Sequence, residues 1–481
     1  MSKQALLFLI AAIAFSTLNA QTGYEINVEL KPYKNSQVYL GYYYGEVRAV
    51  ADSVVLDGNS KGTFKGAEPL PGGIYFIVTP AKQIMLELLI DKDQQFSISA
   101  DSANLPASVK FSGSEENRLF QEYSFFTGSK GQQISELNHQ LATAKTKRDS
   151  AEISTRIRRY TGELQQFRDS IMEKYPDSFL STLFKAMEEP RIPPASKHPG
   201  GKYDSNFVYH FYKDHYWDDM AYTDDRMVRT PFFQPRLEKY YRDLVSPSPD
   251  SLIKEIDHML LYSRASKEMY KFLMVHFVQQ YINPQYMGQD AVFVHLFEKY
   301  INAGKADFFT PQYREFAAKR AYSLMANLIG NPAPQLNMVD SLNKPLPLYD
   351  VKAEFTVICF WDPTCSHCKE IVPKVDSIYK AKWKDEGVTV YGVKTDGTKA
   401  EWLKFIQDHH LNGWKHVYPA PGKDEAEIAA GRPGYKQLYD VYQTPLLYLL
   451  DKDKRIIAKK LSYLQINEVI NGKLRSEKKP G

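Results

Sequence analysis

The sequence predicts a multidomain chain with an N-terminal all-β sandwich or barrel, a central α-helical region and a C-terminal α/β domain. Three observations carry this reading. Short β-branched and aromatic runs recur between turn clusters up to about residue 112. Apolar residues then fall at helical steps. From about residue 330, strand-like and helix-like segments alternate. The 481 residues leave room for roughly two to four domains. The composition shifts divide the chain into 1–20, 21–112, 113–329 and 330–475.

The first 20 residues read as an export signal. Lys3 supplies the positive charge, and Ala5 to Phe15 is an apolar run of 11 residues, too short to span a bilayer as a mature helix. Ser16 to Ala20 is small and polar, which places the cut after Ala20. No later stretch offers about 18 consecutive apolar residues, so no integral membrane segment is expected in the mature chain. The 61 basic and 57 acidic residues nearly balance, which gives no pull toward nucleic acid.

In the first domain, Tyr24–Leu30, Gln37–Tyr43, Ser53–Leu56, Gly73–Thr79, Ile84–Ile90 and Gln95–Ala100 read as strands. Asp57-Gly58-Asn59 and Pro71-Gly72-Gly73 are turns between them. This spacing favours an antiparallel sandwich or barrel. In the second, Ile153, Ile157, Tyr160, Leu164, Phe167 and Ile171 recur at alternating steps of four and three, the seam of an amphipathic helix. A helix around Ile134, Leu137 and Leu141 precedes it, so a helical hairpin is expected, packed within the chain or paired as a short dimeric coil. Residues 188–204 are rich in Pro and Gly and read as a loop, with further helices at Ser251–Ser263 and Lys267–Tyr281. The aromatic stretch Tyr203–Tyr241 lacks a basic groove pattern and reads as packing.

In the third domain, Phe355–Trp361 and Val388–Val393 are buried-type strands, Glu401–His410 is a helix, and Leu446–Leu450 pairs with Arg455–Lys459 across a turn at Asp451–Lys454. The chemistry concentrates here. The chain has three cysteines, Cys359, Cys365 and Cys368, which excludes a disulfide-stapled scaffold. Thiol–disulfide exchange needs a thiolate nucleophile and a second thiol in reach to resolve the mixed disulfide. Trp361-Asp362-Pro363-Thr364-Cys365-Ser366-His367-Cys368 supplies both at a strand-to-helix junction. Cys365 at the helix N-terminus would attack, since the dipole and free N–H groups favour a thiolate there. Cys368, one turn deeper, would resolve. His367 and Trp361 are candidates for tuning the redox couple. A zinc site would need two more ligands at paired spacing, which Cys359, His409 and His410 do not supply, and no cofactor is expected.

Residues 330–470 resemble a thioredoxin-fold domain of the TlpA/ResA-like exported family. The likeness rests on Gly330-Asn331-Pro332-Ala333-Pro334, on Phe360-Trp361 before the dithiol, on Pro373 five residues after Cys368, and on Tyr439 to Pro445. It implies a cis bond at Thr444-Pro445 beside the sulfurs, with Thr444 and Pro445 binding substrate. It also implies an exported thiol–disulfide oxidoreductase of the Gram-negative periplasm or cell envelope. Its clients would be proteins with thiols or disulfides, and its electron donor a membrane thiol protein. The preceding β and helical regions resemble N-terminal extensions of some envelope relatives. Three departures stand out: Cys359 replaces the buried Asp of thioredoxins, Ile371 replaces a Glu frequent in the family, and Ser366-His367 is closer to the Pro-His of DsbA-like oxidases than to the Gly-Pro of thioredoxin. A reductase is the first reading. A DsbA-like oxidase, a thiol peroxidase and a non-enzymatic binding or assembly protein with a passive thioredoxin fold are the alternatives.

Overall fold

The computed structural model describes residues 23–220 and 223–477. The predicted export signal, 1–20, lies outside the described residues. The chain separates into two compact units: residues up to 244 with 261–272, and 245–260 with 273 onward.

The first unit opens with eight strands in two four-stranded sheets. One has the order β4-β1-β7-β8, from β1 (Tyr24–Lys31), β4 (Lys61–Gly66), β7 (Gln95–Asp101) and β8 (Lys110–Ser112); the other has β3-β2-β5-β6, from β2 (Gln37–Tyr44), β3 (Val47–Val55), β5 (Gly73–Val78) and β6 (Ile84–Ile90). Along β1 burial alternates, so Ile26, Val28 and Leu30 face a core that also holds Val38, Leu40, Ile77 and Leu88. Two features correct the expectation of a purely antiparallel array of six strands. β1 and β7 pair in parallel, because the whole second sheet intervenes between them as a crossover. β4 and β8 are polar strands at the two edges of their sheet, and β4 buries Phe64 alone, which gives no alternating apolar signal to read.

Helices Glu115–Ala142 and Lys147–Lys174 form the expected hairpin, capped by Ser114 and Thr146. The seam packs within the chain: the Phe167 ring stacks on Phe126 at 5.3 Å and meets Tyr123 at 5.9 Å. Residues 188–204 carry only two short helical turns. The aromatic stretch is packing, with Tyr216 against Tyr240 at 5.3 Å and the Arg236 guanidinium over Tyr216.

The second unit holds helices Asp290–Leu296 and Pro311–Met325 and a six-stranded mixed sheet, order β14-β13-β10-β11-β12-β9. Its strands are β9 (Met338–Val339), β10 (Phe355–Trp361), β11 (Val388–Lys394), β12 (Lys415–Pro419), β13 (Leu446–Leu450) and β14 (Ile456–Lys459). β10, β11 and β12 are parallel; β13 pairs antiparallel with β10, β14 antiparallel with β13, and β9 antiparallel with β12. This is the α/β thioredoxin-like arrangement. Every residue of β10 is buried, as a central strand covered on both faces requires. Cys359 and Trp361 point to one face, with Cys368, Val372, Trp402 and Ile466; Ile358 and Phe360 point to the other, with Tyr439 and Tyr448.

Candidate active site

β10 ends at Trp361, and Asp362-Pro363-Thr364 turns the chain into the helix Ser366–Ile378. The turn is held locally: the Asp362 carboxylate accepts from the main-chain N–H and the hydroxyl of Thr364, both at 2.8 Å. Gly397 closes behind it with φ +78°, where a Cβ would stand 3.0 Å from Pro363 Cγ and 3.2 Å from Asp362 Oδ1. That approach and that φ both call for glycine.

Cys365 is the N-cap residue, partly exposed, and Cys368 lies one turn in, wholly buried. All three cysteines are free thiols. The Cys365 thiol donates to the Thr444 carbonyl at 3.5 Å, and the Asp362 N–H donates to Cys368 Sγ at 3.4 Å. The main-chain N–H of Cys368 foremost, with the Cys368 thiol and the His367 N–H in support, holds the Cys365 thiol below its ordinary pKa. Burial pushes Cys368 up to about 12. Burial also pushes the Cys359 thiol well up, and Cys368 nearby adds to the shift. One thiol is thus poised to ionise at the surface and two are held neutral beneath it.

His367 is exposed at the mouth of the site, and its main-chain N–H is what it contributes to the sulfur. Trp361 is wholly buried, its ring 5.0 Å from Phe405 in the core behind the dithiol. Thr444–Pro445 is a cis bond. Both residues line a cleft of about 500 Å³ that also receives His367, Ile371, Tyr442 and Lys460.

The loop before Pro445 is held by charged and polar groups outside the dithiol motif. Asp440 sits at φ +54° with its side chain 1% exposed. Arg320 and Lys460 each donate to one of its carboxylate oxygens. Burial disfavours the charge, yet these two cations hold the carboxyl below the usual carboxylate range. Arg320 also reaches the Ile282 carbonyl at 3.2 Å and Asn283 at 3.0 Å. The Asn327 amide donates to the Leu438 carbonyl at 2.9 Å and the Ser323 hydroxyl to the Gln437 carbonyl at 2.5 Å. Asp440 stands in a motif that sequence reading singled out, but Arg320 lies 120 positions away and nothing local marks it.

Residues 329–459 match the AhpC/TSA family. Residues 24–120 and 142–315 match two domains of unknown function, DUF4369 and DUF5106. The thiol-disulfide oxidoreductase ResA of Oceanobacillus iheyensis is 24% identical over 157 residues, 32% of this chain and 70% of that protein. The methylamine utilization protein MauD of Methylophilus methylotrophus is 31% identical over 106 residues, 22% of this chain and 42% of its own length. A solved domain of a possible thiol-disulfide isomerase from Cytophaga hutchinsonii is 35% identical, covering 31% of this chain and 96% of its own, with a TM-score of 0.28. Among the described residues no helix is long and apolar enough to cross a membrane. In line with the resemblance read from the motifs, the C-terminal part of this chain matches the AhpC/TSA family and is similar to thiol–disulfide oxidoreductases of the ResA type.

Proposed function

We propose that the protein is an exported thiol–disulfide oxidoreductase that reduces disulfides of periplasmic or envelope proteins through Cys365 and Cys368. The observation that carries the reading is the contrast between the two sulfurs, one lowered in pKa at a helix N-terminus and one raised by burial a turn deeper. The Cys365 thiolate attacks one sulfur of the client disulfide. The client S–S bond breaks, and its other sulfur leaves as a thiolate. Cys368 then passes its proton to that departing thiolate and attacks Cys365 Sγ, which releases the second client sulfur. Two electrons move from the dithiol to the client, and Cys365–Cys368 becomes the disulfide. A membrane-held thiol protein would return the electrons.

The assignment of roles has a direct test. Cys368→Ser should accumulate mixed disulfides with client proteins, seen on non-reducing gels, because the resolving thiol is gone. Cys365→Ser should accumulate almost none. Equal trapping by both variants would refute the roles. The measured reduction potential against glutathione decides the direction: a value near −270 mV suits a reductase and one near −120 mV an oxidase, on the approximate range thioredoxin and DsbA define.

A further inference from the structure

We infer that the cleft beside Pro445 selects client segments carrying an acidic side chain next to the reacting cysteine, with Lys460 and Arg320 as its specificity-determining cations. This rests on the oxidoreductase reading above.

The attacking sulfur and the cleft share a wall. Cys365 Sγ lies 3.5 Å from the Thr444 carbonyl, and Thr444 and Pro445 line the cleft. A client disulfide that reaches Cys365 therefore lays its flanking residues along it. Part of the lining is apolar: Ile371 and Leu461 contribute to it, and Tyr442, 76% exposed, lies with its ring centroid 5.9 Å from the Arg320 guanidinium. The charged part of the lining is cationic on balance. Among the described residues lining the cleft, Asp440 is the one acid, and its side chain is 1% exposed. Arg320 and Lys460 both bind it, so two cations meet one carboxylate and an excess positive charge faces the cleft. The Arg320 side chain is 9% exposed and tied to Ile282 and Asn283, so it is a fixed charge. The Lys460 side chain is 41% exposed, and one of its three N–H donors is used on Asp440. A client carboxylate at that rim gains an ion pair, and a client lysine meets repulsion; this is discrimination by charge sign and not by shape. Arg320 and Lys460 lie outside the strand-and-helix elements that carry the dithiol, so client choice can vary while the chemistry stays fixed.

The test uses the full chain and two disulfide-bearing peptides that differ only in having Glu or Lys on both sides of the cysteine. The Glu peptide should be turned over with a kcat/KM about threefold to fivefold higher, as a solvent-exposed pair provides, with the difference in KM. High salt should flatten the ratio. Lys460→Glu should invert it. Lys460→Gln keeps a donor for Asp440 and should abolish the preference, which covers a failure of the charge reversal to fold. Fluorescence anisotropy of the same peptides with Ser in place of Cys reads binding without chemistry and should show the same order. A ratio unchanged by either Lys460 variant, in turnover and in binding, overturns the inference. Charge-dependent binding without turnover of any disulfide would support the cleft assignment and refute the oxidoreductase reading instead.

Discussion

Replacing His367 by alanine and by proline separates two ways in which this residue can act on Cys365. The first is through its imidazole. That ring is exposed, so any charge it carries is screened by solvent. The second is through its main-chain N–H, which is the second of the helix that Cys365 caps and which favours the thiolate. Alanine removes the first and keeps the second. Proline removes both, and the first helical turn accepts it because that N–H has no partner within the helix. A hydrogen bond to a charged group contributes about 1.5–3 kcal/mol when shielded. At a partly exposed sulfur, solvent reduces this to about 1 kcal/mol. That corresponds to roughly 0.7 of a pKa unit and to ~20 mV in a two-electron couple. His367→Pro should therefore raise the Cys365 pKa by about that amount and make the couple more reducing, because the reduced form loses its stabilised thiolate. His367→Ala should move both by less than half as much. The pKa is read from thiolate absorbance in a pH titration and the potential from equilibration with glutathione. If alanine shifts both as far as proline does, the imidazole is the tuning group and the main-chain argument is refuted.

Other outcomes follow from the same geometry. Cys359→Ala should leave disulfide turnover within about twofold and lower stability by roughly 1 kcal/mol through the small cavity it leaves; in the oxidised wild type, peptide mapping should show no disulfide to Cys359. Asp440→Asn leaves the buried Arg320 guanidinium short of its counter-charge and should lower stability by about 3 kcal/mol in urea unfolding. The folded pKa of Asp440 lies below its ordinary 3.8, so its contribution is complete above that value and is lost as pH falls through the lower folded pKa; the wild type should lose stability over that acidic window more steeply than Asp440→Asn. Gly397→Ala forces a Cβ onto Pro363 at a positive φ, a strain of about 1–2 kcal/mol, and should slow alkylation of Cys365 as the turn shifts.

The parts of this fold that were legible in the sequence are those whose signal is local. The helical hairpin declared itself by its apolar period, and β10 by a continuous apolar run. The helix after Cys365 followed from the motif. β4, β8, β9 and β12 carry little such signal: they are edge or near-edge strands of two to six residues, and β12 buries Val417 alone. The parallel pairing of β1 with β7 is a property of the whole first sheet system, which no window of residues contains. The same holds at the site. Cys365, Cys368, Thr444 and Pro445 are found by motif, whereas Arg320, Asn283 and Lys460 become neighbours of that motif only when the chain has folded.

In the disulfide exchange proposed above, the environment of Cys359 bears on how the second step would proceed. The thioredoxin resemblance leads one to expect a carboxylate at this strand position to take the proton of the buried cysteine. Here the position is a thiol on the same face of β10 as Cys368, and burial holds it neutral. A neutral buried thiol cannot accept a proton at neutral pH. Cys368 is itself held up by burial, so its proton must leave for the attack on Cys365 to occur. The acceptor must then come from the open side, where Cys365 and the cleft meet solvent, and the client thiolate released in the first step is a base placed there by the reaction itself. Resolution is thereby coupled to the client. In a symmetric disulfide the two thiols are alike, so a higher pKa makes the first thiolate released a stronger base toward Cys368 and the second a poorer leaving group from Cys365. Across a series of symmetric model disulfides the rate should therefore pass through a maximum with thiol pKa, whereas a resident carboxylate would leave a monotonic dependence. Stopped-flow kinetics over such a series distinguishes the two, and a monotonic rise with leaving-group acidity would point to a proton acceptor other than the client.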